Sequence, residues 1–206
     1  MKFRRLFGVL FCTIRLNSIK FLSVQGLKGS KMTYKSVIEE LYCKLLGIEL
    51  KRILSEREML QNQIGYETAE GEVELLSETT VGQILKGKRN ISFNASLAFQ
   101  TSLDYKNPRE LFFPSIEFEL LLIENIISTI LIDPTFENTF LKKLIAKKFS
   151  NVSKKEVSQI IEKNKEIFID SLSSFISDFP EEETSHQIAE KLTYWLSELA
   201  CLIPQI

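Results

Sequence analysis

Histidine and cysteine are scarce in this chain of 206 residues, and that scarcity limits its chemistry. The three cysteines are Cys12, Cys43 and Cys201, without a CxxC pair, and the one histidine is His186. Zinc sites and histidine-based triads need several such residues, so we expect no metal and no cofactor. His186 follows three glutamates, which favours a charge partner over catalysis. The odd cysteine count argues against a disulfide framework and for a reducing, cytoplasmic compartment.

A glycine-rich phosphate-binding loop is also missing from the sequence. Gly87 follows a helical segment rather than a strand, and the glycine spacing of such a loop does not occur around it. Carboxylates are plentiful, but they fall on the polar faces of amphipathic segments, where solvation is their ordinary role. We therefore predict that the protein is not an enzyme.

The first 31 residues contain no acidic residue and seven basic ones. Their apolar run, Leu6 to Ile14, is short of the ~20 apolar residues that span a bilayer, and no small-x-small cleavage site follows it. We expect no stable membrane span. We hypothesise that Met32 is the true start and that residues 1–31 come from an over-extended reading frame. The alternative is a poorly ordered basic extension.

The rest of the chain is acidic, with 19 basic and 27 acidic residues in 32–206. Hydrophobic residues make up 44% of the whole sequence and charged residues 26%, which is typical of a globular protein. Any nucleic-acid contact must then come from a local basic patch rather than from the general field of the protein.

Helical periodicity runs through the chain after Met32, and no strand-like alternation persists there. Val37, Leu41, Leu45 and Ile48 follow a period near 3.6 residues, which predicts a long amphipathic helix. Four further helices are expected beyond Pro114, at about 115–131, 134–149, 153–177 and after Pro180. Proline at 114 suggests a boundary between two segments, 32–113 and 114–206.

A short helix with a polar front is predicted in SETTVGQILKGKRNIS, residues 77–92. Ser77 is a suitable N-cap, and Gly87 stands where a helix end favours positive φ. Three apolar residues at i, i+3 and i+4 would face the core: Val81, Ile84 and Leu85. The opposite face carries Glu78, Thr79, Gly82, Gln83 and Lys86.

Three stretches together resemble the Xre/Cro phage-repressor type of helix-turn-helix domain. They are LKRILSER at 50–57, SETTVGQILKGKRNIS at 77–92 and NASLAFQTSLDYKNPRELFF at 94–113. The resemblance covers about residues 45–113. It implies an all-α protein with an N-terminal five-helix Xre-like domain in 32–113. The segment 114–206 would then form a helical bundle of about four helices.

The resemblance implies that the third helix enters the major groove of operator DNA. Gln83 and Thr79 would contact base edges, and the basic residues after the helix would hold phosphates. The predicted DNA-binding residues are Ser77, Glu78, Thr79, Gly82, Gln83, Lys86, Lys88, Arg89 and Asn90. The expected function is a sequence-specific transcriptional regulator, with repression as the favoured mode.

The C-terminal segment is assigned to dimerisation, because repressors commonly bind two half-sites as symmetric dimers. Residues 114–206 hold nine basic and fifteen acidic residues, so this segment should not bind DNA. A small-molecule or peptide effector is a further candidate partner for it. The plainer interpretation, a helical core without a sensing role, is the stronger one.

The sequence departs from the family between Arg57 and Lys86. This span contains no basic residue and six glutamates, so a lengthened, acidic second helix would be repelled by DNA. One interpretation is that the insertion bulges away from the duplex. The other is a protein-interaction module that keeps the fold, antitoxin-like or an inhibitor, with weak or no DNA binding. Whether the acidic segment 67–78 permits DNA contact stays open.

Overall fold

A computed structural model describes residues 33–67, 73–74, 76–149, 151–177 and 183–206. The described chain is built almost wholly from α-helices, which confirms the predicted all-α class. Met32–Ile206 form one compact unit. The predictions about residues 1–31 lie outside the described residues. Within the described part, no helix is both long enough and apolar enough to cross a membrane.

The segment up to Phe113 contains four described α-helices. They are α1 Tyr34–Glu56, α2 Glu78–Leu85, α3 Phe93–Leu103 and α4 Pro108–Phe112. Helix α1 begins after Thr33, whose side chain accepts a hydrogen bond from the Ser36 amide, and it continues unbroken through Gly47. Helix α4 begins with Pro108 in its first turn and the Asn107 side chain as its cap.

The expected second helix is replaced by a turn and a short hairpin, so the prediction of five N-terminal helices is wrong for the described residues. Gln61–Gln63 form a 3-10 helix, and Tyr66–Glu67 pair antiparallel with Val73–Glu74. Two backbone positions in this stretch have positive φ: Glu58, just after α1, at 55°, and Gly65, between the 3-10 helix and the hairpin, at 104°. A helix cannot pass through such residues, so the chain turns instead.

The segment after Pro114 contains five described α-helices rather than four. They are α5 Ile116–Ile132, α6 Phe140–Phe149, α7 Lys154–Lys163, α8 Lys165–Phe175 and α9 Ser185–Leu202. The predicted helix at 153–177 is divided at Asn164, which has φ −112° and ψ 19°. The Asn164 side chain donates to the Ile160 carbonyl at 2.8 Å, which satisfies an acceptor at the end of α7. A capping box formed by Ser153 and Glu156 opens α7.

The two segments share one hydrophobic core. Helix α1 packs against α9, α2 and α5. Tyr42 of α1 is fully buried, and its hydroxyl donates to the Phe112 carbonyl at 2.9 Å. Trp195 of α9 is also fully buried, and its indole N–H donates to the Ser171 hydroxyl at 3.0 Å. The boundary predicted at Pro114 therefore lies inside a compact unit, and a division of function there stays a prediction.

Candidate nucleic-acid interface

Helix α2 is held in the core by the apolar stripe predicted from its spacing. Val81, Ile84 and Leu85 are 0%, 2% and 5% exposed. The Ser77 hydroxyl accepts a hydrogen bond from the Thr80 amide at 3.3 Å, which confirms Ser77 as the N-cap. Eight residues would make a marginal helix in isolation, so this burial is what keeps α2 formed.

Two glycines set how closely α2 approaches α1. A Cβ atom on Gly47 would lie 2.6 Å from the Ile84 carbonyl oxygen and 2.9 Å from the Gly87 nitrogen. A Cβ atom on Gly87, which has the predicted positive φ of 65°, would lie 2.5 Å from the Lys44 Cα. The end of α2 therefore rests directly on the backbone of α1, which only glycine permits at both positions.

The outward face of α2 is polar and open to solvent. Glu78, Thr79 and Gln83 are exposed on the helix, and Lys86 is exposed at its C-cap. Residues 79, 83 and 86 are spaced at i, i+4 and i+7, so they fall on one side of the helix. The structure thus brings together most of the predicted reading residues on a single surface.

A compact turn, residues 86–90, follows the helix and is called the basic bend below. The Gly87 amide donates to the Ile84 carbonyl at 2.8 Å, and the Lys88 amide to the Gln83 carbonyl at 2.9 Å. Lys86, Lys88 and Arg89 are exposed, and the Arg89 guanidinium donates to the Thr80 hydroxyl at 3.3 Å. The predicted cations are therefore adjacent to the polar face of α2.

Sequence reasoning missed a fourth cation beside the basic bend. Lys44 belongs to α1 and is exposed, and its backbone lies directly under Gly87. The close contact between α1 and α2 is what places it there. Gly47 was the available signal, since a buried glycine inside a long helix often marks a close helix crossing.

Gly82 does not take the position expected of it. It is buried, and a Cβ atom there would lie 3.0 Å from Nε2 of Gln61, which itself donates to the Glu78 carbonyl at 3.0 Å. Gln61 covers this turn of α2 because the 3-10 helix packs against it. The expected close approach of the Gly82 backbone to DNA is therefore blocked in this structure, and the glycine serves packing.

The Asn90 side chain also makes hydrogen bonds within the protein. Its Nδ2 donates to the Glu39 carboxylate, and its Oδ1 accepts from the Cys43 thiol at 3.1 Å. The same Glu39 oxygen lies 2.8 Å from Nδ1 of His186, which gives His186 the charge partner that was expected. These bonds fix the orientation of the Asn90 amide and leave only its second N–H for the predicted phosphate contact.

Cys43 is buried in surroundings that disfavour its thiolate. Burial raises the pKa of the Cys43 thiol, while the hydrogen bond with Ser185 lowers it by less. The nucleophilic form of cysteine is the thiolate, so this environment disfavours a covalent role. Among the residues that the structure describes, no three histidine, cysteine or acidic side chains group into a metal site.

The hairpin in the acidic segment between α1 and α2 begins on α3 rather than on the exposed polar face of α2. The first strand of the hairpin packs against α3. The Ser102 hydroxyl of α3 accepts from the Gly65 amide and donates to the Gln63 carbonyl, both at 3.4 Å. Residues 68–72, between the two strands in sequence, lie outside the described residues.

Comparison of the chain with protein-family models, with curated proteins and with solved structures gives no match.

Proposed function

We propose that this protein is a sequence-specific DNA-binding transcriptional regulator, a cytoplasmic repressor that acts on operator duplexes as a dimer. One observation carries the proposal. The exposed polar face of α2 continues into four exposed cations, Lys44, Lys86, Lys88 and Arg89, on a chain that is otherwise acidic.

The chemistry of this surface suits a duplex. The amide of Gln83 can bond both N6 and N7 of adenine, and Thr79 can contact a thymine methyl group. The cations of the basic bend lie just beyond the C-terminal end of the reading face, where they could bind phosphates and fix the register of the helix. The apolar stripe behind α2 supplies the rigid support that base reading requires.

The dimer would form through the C-terminal segment. Helix α5 buries one face but exposes apolar side chains elsewhere, with Ile116 57%, Leu121 45% and Ile132 80% exposed. Exposed apolar side chains on a helix are typical of surfaces that a partner covers. A two-fold dimer would present two copies of α2 to two half-sites.

The test is a binding titration with a control for simple electrostatics. A duplex enriched from a randomised library and a scrambled duplex would be titrated by fluorescence anisotropy. Between roughly 50 and 200 mM salt, four phosphate contacts predict a slope of log K against log salt of about −3 to −4. Lys88→Ala should weaken binding to both duplexes and reduce that slope by about 1. The matched control is Lys155→Ala, an exposed lysine of α7, which should change neither.

A second candidate function is a protein-interaction module, antitoxin-like or an inhibitor, with weak or no DNA binding. The specific observation in its favour is the acidic turn and hairpin that stand where the family has its second helix. In that case the titration would give equal, weak affinity for the enriched and scrambled duplexes. A preference of the wild-type protein for the enriched duplex would exclude it.

A further inference from the structure

The basic bend is attached at its far end to the C-terminal helix α9. The Ile91 amide, directly after the bend, donates to the Ser185 hydroxyl at 2.7 Å. In return the Ser185 amide donates to the Ile91 carbonyl at 3.0 Å. Both residues are buried, with Ser185 0% and Ile91 2% exposed, although they are 94 positions apart in the sequence. We call this reciprocal pair the latch.

The hydroxyl of Ser185 is not needed to cap its own helix. Thr184 is the N-cap of α9: its side chain accepts from the Gln187 amide at 3.3 Å, and Gln187 reaches back to the Thr184 amide. The Ser185 hydroxyl instead serves Ile91, with a weaker contact at 3.8 Å from the Cys43 thiol. Capping and latching are therefore done by two neighbouring residues, which can be changed separately.

The latch has a physical consequence for the cations of the bend. The near end of the bend is held by the backbone hydrogen bonds that close α2, and the far end by Ser185. Without the hydroxyl, the buried Ile91 amide would lose its acceptor, and an unsatisfied buried donor favours opening of the turn. A loop that is ordered before binding loses less entropy when it meets a ligand.

We propose that Ser185 is a positioning residue for the DNA contact, so that α9 is part of the DNA-binding unit rather than of a separate dimerisation segment. This inference rests on the proposed function. Ser185 touches no DNA in it: the residue acts by holding Lys88 and Arg89 of the bend in place. Any ligand or partner that displaced the start of α9 would loosen the same two cations.

The experiment compares Ser185→Ala with the matched control Thr184→Ala in the full chain. The first removes the acceptor of Ile91 and keeps the helix cap, while the second removes the cap and keeps the latch. Anisotropy titrations use the enriched duplex, and thermal melting reports the stability of each variant. We expect Ser185→Ala to weaken binding by roughly tenfold and to lower the salt slope. Thr184→Ala should leave both unchanged even where it lowers the melting temperature.

Amide hydrogen exchange of the DNA-free protein gives a second, independent measurement of how well the basic bend is held. Protection of residues 88–91 should fall by roughly fivefold to tenfold in Ser185→Ala, and less in Thr184→Ala. If the two variants lose DNA affinity in proportion to their stability, or if protection of 88–91 is equal in both, the positioning role is refuted while the proposed function stands. If the wild-type protein does not distinguish the enriched duplex, the proposed function itself fails and takes the positioning role with it.

Discussion

At the scale of single residues, the predicted DNA-binding positions fall into two groups. Some are exposed, and others make contacts within the protein. Gln83 and Thr79 are exposed. Gly82 and Asn90 were predicted to face DNA, but one is covered by Gln61 and the other is bonded to Glu39 and Cys43. In the proposed function, contacts with base edges therefore depend on few positions, chiefly Gln83 and Thr79.

Changing Gln83 tests that dependence directly. Gln83→Ala should reduce discrimination at one or two base pairs by about 1–3 kcal/mol, because a bidentate contact to adenine would be lost. Its thermal stability should stay near wild type, since the side chain is exposed. Base-by-base substitution of the enriched duplex measures the effect. Gln159→Ala on α7 is the control, and an identical profile for both variants would remove Gln83 from the reading face.

Glu119 is a buried carboxylate whose environment predicts a measurable pH effect on stability. It is 3% exposed, Arg109 lies 2.9 Å from its Oε1, and its Oε2 has no hydrogen-bond partner among the residues that the structure describes. Burial raises the pKa of Glu119 above its ordinary value of 4.5, although the Arg109 charge and hydrogen bond act the other way. A raised pKa means that this group favours folding at low pH and that its contribution is lost as pH rises above 4.5.

Glu119→Gln should therefore become more stable relative to wild type as pH rises from the acidic range to neutrality. The neutral amide removes the cost of burying a charge, which exists only when the carboxyl is ionised. Urea unfolding of both proteins across this range measures the difference. A difference that is constant with pH would contradict the prediction, as would one that changes in the opposite direction.

At the scale of elements, two glycines decide how closely α2 packs on α1, and a third glycine has a different role. Gly47 and Gly87 allow backbone contact between α1 and the end of α2, whereas Gly82 faces only the flexible end of Gln61. The sequence marked Gly87 as a helix end, but it did not show which atoms any of the three glycines would contact. Their roles follow from what each Cβ atom would meet.

Substitution by alanine should separate these roles. Gly47→Ala places a methyl group against fixed backbone, so it should lower the free energy of unfolding by about 1–3 kcal/mol and displace α2. Gly82→Ala has to move only the Gln61 side chain and gains up to about 1 kcal/mol in helix propensity, so it should be neutral or stabilising. Urea midpoints and DNA affinity measure both. Equal destabilisation by the two changes would contradict the contact geometry.

At the scale of the whole molecule, the segment up to Phe113 and the C-terminal helices fold around one core. Helix α1 has its most extensive packing with α9, and α4 and α8 meet through Arg109, whose guanidinium donates to the Ser173 hydroxyl at 3.2 Å. Small segments bury too little apolar surface to be stable alone once such contacts are removed.

A fragment of residues 32–113 should therefore lose cooperative unfolding, because the side of α1 that meets α9 would be open to water. The control is a fragment of residues 32–206, which contains the compact unit and should unfold as one transition. Circular dichroism against urea measures both. A cooperative transition in the shorter fragment would show that the predicted boundary at Pro114 separates independent domains.

The sequence by itself determined the local features that depend on nearest neighbours along the chain. The helix cap at Ser77, the positive φ of Gly87, and the buried stripe of α2 were all predicted and confirmed. Each depends on side-chain chemistry or spacing within one turn, which a sequence displays directly.

Only the tertiary structure decided which residues are left free for a partner. Lys44 lies beside the basic bend, Gln61 covers Gly82, and Ser185 holds Ile91. Each of these contacts joins parts of the chain that are far apart in the sequence, up to 94 positions for Ser185 and Ile91. The predicted second helix failed for a similar reason, since the chain around Gly65 packs onto α3 instead of continuing as a helix. Such contacts arise from how helices pack around a shared core. Hydrophobic periodicity along the chain shows which face of a helix is buried, but it does not show which residues of other elements lie against that face.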